Sequence, residues 1–206
     1  MRTLAIETAT AACSVALFDG ATLIDARHET LGRGHAERLV PMIAELPGKG
    51  EAQRILVSLG PGSFTGTRIG IAAARALGLA WGAQVVGYPT LALVAAGTKG
   101  LVGGAPVLVV MTGGHGEWFA QPFDGDGLPL AEHSVFSPAE VANSLALEHV
   151  AGSEAEAFIA RRGWGQAHPM LPDARWTPDL PATLHTAHTA PIYGRPPDAK
   201  PTTATF

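Results

Sequence analysis

Residues 1–28 read MRTLAIETATAACSVALFDGATLIDARH, and this stretch decides the fold. Thr3–Ile6 is a short apolar run and Ser14–Phe18 a second one. Asp19-Gly20, which follows, is a dipeptide of tight hairpin turns, and Leu23–His28 then reads as a third strand. The three strands form a meander. A polar, Gly-containing loop at Thr30–Gly34 leads into His35–Leu46, where Leu39, Met42, Ile43 and Leu46 recur at helical spacing. Pro41 inside this pattern predicts a kink or a restarted first turn. Ile55–Leu59 reads as a buried strand, Gly60–Gly66 as a loop and Thr67–Gly82 as a long helix. Val85–Gly87 is a further strand and Thr90–Ala96 a short helix.

A three-stranded antiparallel meander followed by right-handed strand-helix-strand crossovers is the ribonuclease-H-like layout of actin-like phosphotransferases. The second half begins similarly. Thr98–Ala105 reads as a linker, and Val107–Met111, Glu117–Phe123 and Ala131–Val135 as three more strands. Ser137-Pro138-Ala139-Glu140 has the capping-box spacing with Pro at the first helical position, and Ser153–Glu156 repeats that spacing before Ala157–Arg162. After Gly163 the pattern fades into a Pro-rich tail. The prediction is an α/β protein of actin-like, two-lobed fold: a first lobe over 1–98 and an abridged second lobe over 99–206.

Composition narrows the function. The chain has 206 residues, 47% hydrophobic and 16% charged, against roughly 25% charged in typical soluble domains. One cysteine excludes a disulfide scaffold and a Cys-based zinc cluster. The longest apolar runs fall short of the roughly 20 residues that span a bilayer, and Glu7 within the first apolar stretch argues for a strand over a signal peptide, so the expected setting is the cytoplasm, with no membrane partner. A net charge of −4 argues against the chain being the main nucleic-acid-gripping surface, because such affinity rests on neutralising phosphates.

The most specific motif is Gly60-Pro61-Gly62-Ser63-Phe64-Thr65-Gly66-Thr67-Arg68-Ile69-Gly70. It lacks the Gly-Lys-Ser/Thr ending of a Walker A loop and the spacing and downstream acid of a dinucleotide fingerprint. Two readings stand: a helix N-terminus offering backbone N–H groups to an anion, or a tight turn whose glycines let helix and strand pack closely. Glu7-Thr8-Ala9-Thr10 occupies the place where actin-like ATPases hold nucleotide phosphates, and Glu7 there is placed to orient a hydrated magnesium ion. The candidate anion or nucleotide cleft is therefore Glu7, Thr8, Thr10, Gly60, Gly62, Ser63, Thr65 and Gly66.

No catalytic and no metal-ligating residues are assigned. The eight histidines contain no His-x-x-x-His pair, Ser63 lies in no Gly-x-Ser-x-Gly elbow, and Cys13 reads as a buried thiol. The helix Thr67–Gly82 points to partners instead. Ile69, Ala73, Ala76, Leu77 and Ala80 form one apolar stripe, which the sheet is expected to cover. Gly70, Ala74, Gly78 and Gly82 form a second, small-residue stripe, expected to admit a helix of this chain or of another subunit. Candidate interface residues are His35, Leu39, Met42, Arg68, Ile71, Ala74, Arg75 and Gly78.

Met1–Phe18, His35 with the following Glu-Arg-Leu-Val-Pro-Met-Ile, and Gly60–Gly70 closely resemble the TsaB (YeaZ) family, and the tail Pro191-Ile192-Tyr193-Gly194-Arg195 with Ala199-Lys200 is similar to its C-terminal signature. The likeness covers residues 1–95 and 191–200. It implies the actin-like superfamily, an old glycoprotease label, and a non-catalytic role in making N6-threonylcarbamoyladenosine at position 37 of tRNAs. It also implies partnership with a TsaD-type transferase and a TsaE-type ATPase, a homodimer when alone, and tRNA reached through the complex. Self-association and TsaD association would share the first-lobe helices. No cofactor of the chain's own is implied, ATP or ADP with magnesium entering at the level of the complex. The family's Asp-Ala-Arg motif at the start of the second lobe is replaced here by Thr112-Gly113-Gly114-His115-Gly116-Glu117. The rival readings are a nucleotide-dependent phosphotransferase or ATPase of the same fold, and a peptidase.

Overall fold

A computed structural model describes residues 1–143 and 146–194, and within it residues 1–88 build the predicted meander and crossovers. Strands β1 (Arg2–Glu7), β2 (Ala12–Asp19) and β3 (Thr22–Thr30) pair antiparallel in sequence order, whereas β4 (Arg54–Ser58) and β5 (Gln84–Tyr88) add parallel on the other side of β1. The sheet order is β3-β2-β1-β4-β5. Helix α1 (His35–Ala44) connects β3 to β4, and α2 (Phe64–Trp81) connects β4 to β5. β1 and β2 are buried on both faces. Leu4, Ile6, Val15 and Leu17 turn towards α1 and α2, and Ala5, Ala16 and Phe18 towards α3 (Thr90–Gly97). Burial on both faces explains their near-continuous apolar sequence.

The second sheet repeats this topology in the order β10-β9-β6-β7-β8. β6 (Val107–Thr112) takes the place of β1, β7 (Trp118–Phe123) and β8 (Ser134–Phe136) extend it antiparallel, and β9 (His149–Ala151) and β10 (Gln166–His168) extend it parallel. Helix α5 (Ala155–Arg162) stands where α2 stands in the first half. The counterpart of α1 is a 3-10 segment, Pro138–Asn143. This is the two-lobed actin-like α/β fold. The abridgement lies in element length: β8, β9 and β10 have three residues each. Among the described residues, no helix is long and apolar enough to cross a membrane.

Helix α3 joins the two sheets. It is apolar all round, and Leu91 to Ala96 are all buried, in one core with Val107, Val109, Met111 and Phe119 of the second sheet. Residues after 172 return to the first sheet. Ala174–Asp179 packs on α3 and β1–β3, Thr186 bridges Gly87, and the Ile192 N–H donates to the Leu59 carbonyl at 2.7 Å. Arg195, Ala199 and Lys200 of the tail signature lie outside the described residues.

Several local expectations are corrected. α2 starts at Phe64, not Thr67, because Ser63 caps it: the Ser63 Oγ accepts from the Gly66 N–H at 3.2 Å. α1 runs through Pro41 as one helix. The expected linker contains a helical turn, α4 (Lys99–Val102). Ser153 does not cap α5, because its hydroxyl accepts from the Thr112 N–H at 2.9 Å; Glu154 holds the cap position. The two stripes of α2 share the sheet: Ile69, Ala73 and Leu77 of the apolar stripe are half-buried against its core. Gly70, Ala74 and Gly78 face the sheet, where a Cβ at Gly70 would overlap the Thr8 hydroxyl and one at Gly78 the Val85 side chain. Ala76 and Ala80 of the other stripe are exposed. At Gly70 and Gly78 helix and sheet approach too closely to admit a side chain.

Candidate functional site

The loop Leu59–Ser63 crosses directly over the β1–β2 turn. The Ser63 N–H donates to the Ala9 carbonyl at 2.6 Å, and the Thr8 hydroxyl to the Gly66 carbonyl at 2.8 Å. A Cβ at Gly62 would overlap the Ala9 carbonyl, and one at Gly66 the Thr8 carbonyl. Gly60, at φ +90°, lies against the Ile192 carbonyl. Here the glycines provide close packing, the second of the two sequence readings.

Glu7 lies beneath this junction and is fully buried. Its Oε1 accepts from the Ala9 N–H at 2.6 Å and the Ser58 hydroxyl at 3.0 Å, while Oε2 is buried without a hydrogen-bond partner. Burial pushes its carboxyl up to about 7. A carboxyl so enclosed exposes no oxygen to a hydrated magnesium ion.

Beside the junction is a cavity of about 730 Å³ between the two halves. Its wall carries Thr10, Gly62 and Ser63 from the expected cleft, but not Glu7, Thr8, Gly60, Thr65 or Gly66. Thr8 and Gly66 are buried in the packing beneath, and Thr65 is exposed on the first turn of α2. The β6–β7 hairpin forms the far side with Met111, Thr112, Gly113, Gly114, His115 and Phe119. At the rim, Phe64 and Tyr193 stack with ring centroids 5.6 Å apart. The Arg68 guanidinium lies 3.5 Å from the Phe64 centroid and donates to the Tyr193 hydroxyl at 3.1 and 2.8 Å. Sequence reasoning missed Phe64, Met111, Phe119 and Tyr193 as wall residues. The one signal was an aromatic set into the Gly-rich motif at Phe64.

The expected interface residues divide sharply. His35, Leu39, Met42, Ile71, Ala74 and Gly78 are buried within this chain, so they are not a surface. The imidazole Nε2 of His35 lies 3.2 Å from the Ala12 carbonyl, pinning α1 to β2. Arg68 and Arg75 are exposed and engage the returning tail, Arg75 through the Thr189 hydroxyl at 3.1 Å and carbonyl at 3.0 Å. Between their exposed charged residues, α1 and α2 also expose apolar ones. Leu79 is 89% and Val40 54% exposed, and Ala36, Pro41, Ala44, Ala72, Ala76 and Ala80 on the same two helices are exposed.

Residues 25–171 match the family described as TsaD, tRNA N6-adenosine threonylcarbamoyltransferase. The chain is 33% identical over 178 residues to an Escherichia coli K12 protein named tRNA threonylcarbamoyladenosine biosynthesis protein TsaB, covering 83% of this chain and 75% of that one. It is 36% identical to an uncharacterized Mycobacterium leprae protein, covering 98% of this chain and 56% of that protein. A Pseudomonas aeruginosa crystal structure, described as an uncharacterized protein with similarity to peptidase YeaZ, has a TM-score of 0.80 at 25% identity, covering 94% of this chain and 99% of that one.

Proposed function

The chain belongs to the TsaB/YeaZ family of tRNA threonylcarbamoyladenosine biosynthesis proteins, and from that premise we propose that it is a non-catalytic subunit that pairs with a TsaD-type transferase in the cytoplasm. The observation that carries this reading is the exposed apolar side chains of α1 and α2. Leu79, almost fully exposed, and Val40 stand with exposed alanines on adjacent helices. Exposed large apolar side chains on two packed helices are what a protein-contact surface offers. Alanines on both helices allow partner helices to approach closely, and a second copy of the chain would compete for the same face in the absence of the transferase. A TsaE-type ATPase would join the paired subunits, and tRNA would be reached through the complex.

The test is to mix the purified chain with its cognate transferase and measure complex mass and tRNA modification. The wild-type chain is expected to form the complex and stimulate modification. Leu79→Asp should weaken pairing by about tenfold or more, with the circular dichroism spectrum unchanged. A wild-type chain that neither binds nor stimulates the transferase would overturn the reading.

A further inference from the structure

We propose that His149 and His168 hold a divalent transition-metal ion in an exchangeable site at the edge of the second sheet. This goes beyond the pairing role, which uses α1 and α2. The His149 Nδ1 and the His168 Nε2 lie 3.1 Å apart, and the ring centroids 5.2 Å. Strand pairing brings them together across 19 positions of sequence, so no local spacing announces them. β9 and β10 run parallel, with His149 opposite Gln166 and Ala151 opposite His168. The two imidazoles are therefore diagonal neighbours on one face. β10 is the last strand of its sheet, and both histidines are half-buried, within reach of solvent.

Two nitrogens at this separation match the bite of a tetrahedral ion. With metal–nitrogen bonds of about 2.0–2.1 Å, a spacing of 3.1 Å subtends roughly 100° at the ion. Imidazole nitrogen suits zinc, nickel and copper, whereas magnesium and calcium take oxygen. Among the described residues this is the one contact between two imidazoles. His28 faces Asp173, His35 the Ala12 carbonyl and His185 the Arg54 guanidinium. No group of three or more His, Cys, Asp or Glu suited to a metal occurs among the described residues. The remaining coordination positions thus fall to water or to a group brought by another molecule, unlike those of a closed structural zinc site. Neighbouring charge is mixed, Glu148 accepting from Gln166 at 3.0 Å and the Arg162 guanidinium lying against Gly165, so affinity rests on the two nitrogens.

Without the ion, one neutral ring donates its N–H to the other across the 3.1 Å contact. Metal binding needs both facing nitrogens bare, so the donor ring's proton moves to its outer nitrogen and both rings stay neutral. Neither outer nitrogen is buried without a partner, so either can carry that proton.

Titration of the full chain with zinc chloride alone, followed by calorimetry and by the imidazole nitrogen resonances, tests this. One zinc per chain is expected, shifting the His149 Nδ1 and His168 Nε2 resonances and released by a chelator. His149→Gln and His168→Gln should each weaken zinc at least about tenfold. The resonances of the unmodified chain keep the test independent of whether either variant folds. No saturable binding up to millimolar zinc, shifts confined to other histidines, or affinity unchanged in both variants would each overturn the proposal and leave the pair as a hydrogen bond alone.

Discussion

At the scale of single residues, Glu7 shows how position overrides type. A carboxyl that is fully buried, with Oε1 hydrogen-bonded and Oε2 unpartnered, is pushed by its burial up to about 7 from the ordinary 4.5. A raised folded-state pKa contributes stability that is fully present below about 4.5 and lost as pH rises through about 7. The shift from 4.5 to about 7 corresponds to about 3 kcal/mol above neutrality. Glu7→Gln is therefore expected to stabilise the chain by up to about 3 kcal/mol at pH 8, the gain shrinking towards zero near pH 4. Urea unfolding at the two pH values measures this. A gain independent of pH would mean that Glu7 ionises normally. The residue type was readable from the sequence, but its direction was not. Glu7-Thr8 ends an apolar strand, and only the crossing of Leu59–Ser63 above it turns the carboxyl into the interior.

At the scale of elements, α2 decides how the first half is packed and which surface it offers. Gly70, Ala74 and Gly78 lie on the sheet because a close helix-sheet approach selects for small volume, not for hydrophobicity. Overfilling this contact forces backbone shifts. Ala74→Trp or Gly78→Trp should cost roughly 3 kcal/mol or more, whereas Ala76→Gln on the exposed side should change stability by less than about 0.5 kcal/mol. Thermal unfolding of the three variants distinguishes the faces, and equal losses in all three would show that the outer side is covered as well. The meander and crossovers could be read because alternation, the Asp19-Gly20 turn and helical spacing agreed with one another. The facing of α2 could not, since apolar residues surround the whole helix and period alone does not pick a side. β9 and β10, three residues each, are too short to show any period.

At the scale of the whole molecule, the two sheets of one repeated topology share α3 and are tied by the chain's return after residue 172. Its anchor is Asp173, 3% exposed, which brings together residues far apart in sequence. The Ser14 hydroxyl donates to Asp173 at 3.3 Å and accepts the Ala174 N–H at 3.0 Å. Arg175 donates to the carboxylate at 2.9 and 2.6 Å, and the His28 Nδ1 lies 3.3 Å away. A contact spanning 159 positions leaves no local pattern, so a Pro-rich tail that reads as featureless proves to be structural. Burial alone would push the Asp173 carboxyl up, but hydrogen bonds from His28 and Arg175 outweigh it and hold the group well below the usual carboxylate range. A lowered folded-state pKa contributes stability that is present above the ordinary value of 3.8 and lost as pH falls through the depressed one. Asp173→Asn keeps the shape and removes the charge. It should cost about 2 kcal/mol at pH 7, with the difference from wild type closing in strong acid. Hydrogen exchange would locate the effect: faster exchange at the Ala174, Thr186 and Ile192 amides, with β6–β7 amides protected as in wild type, is the expected pattern. A loss spread evenly over both sheets would show instead that the return segment is not a separable tie.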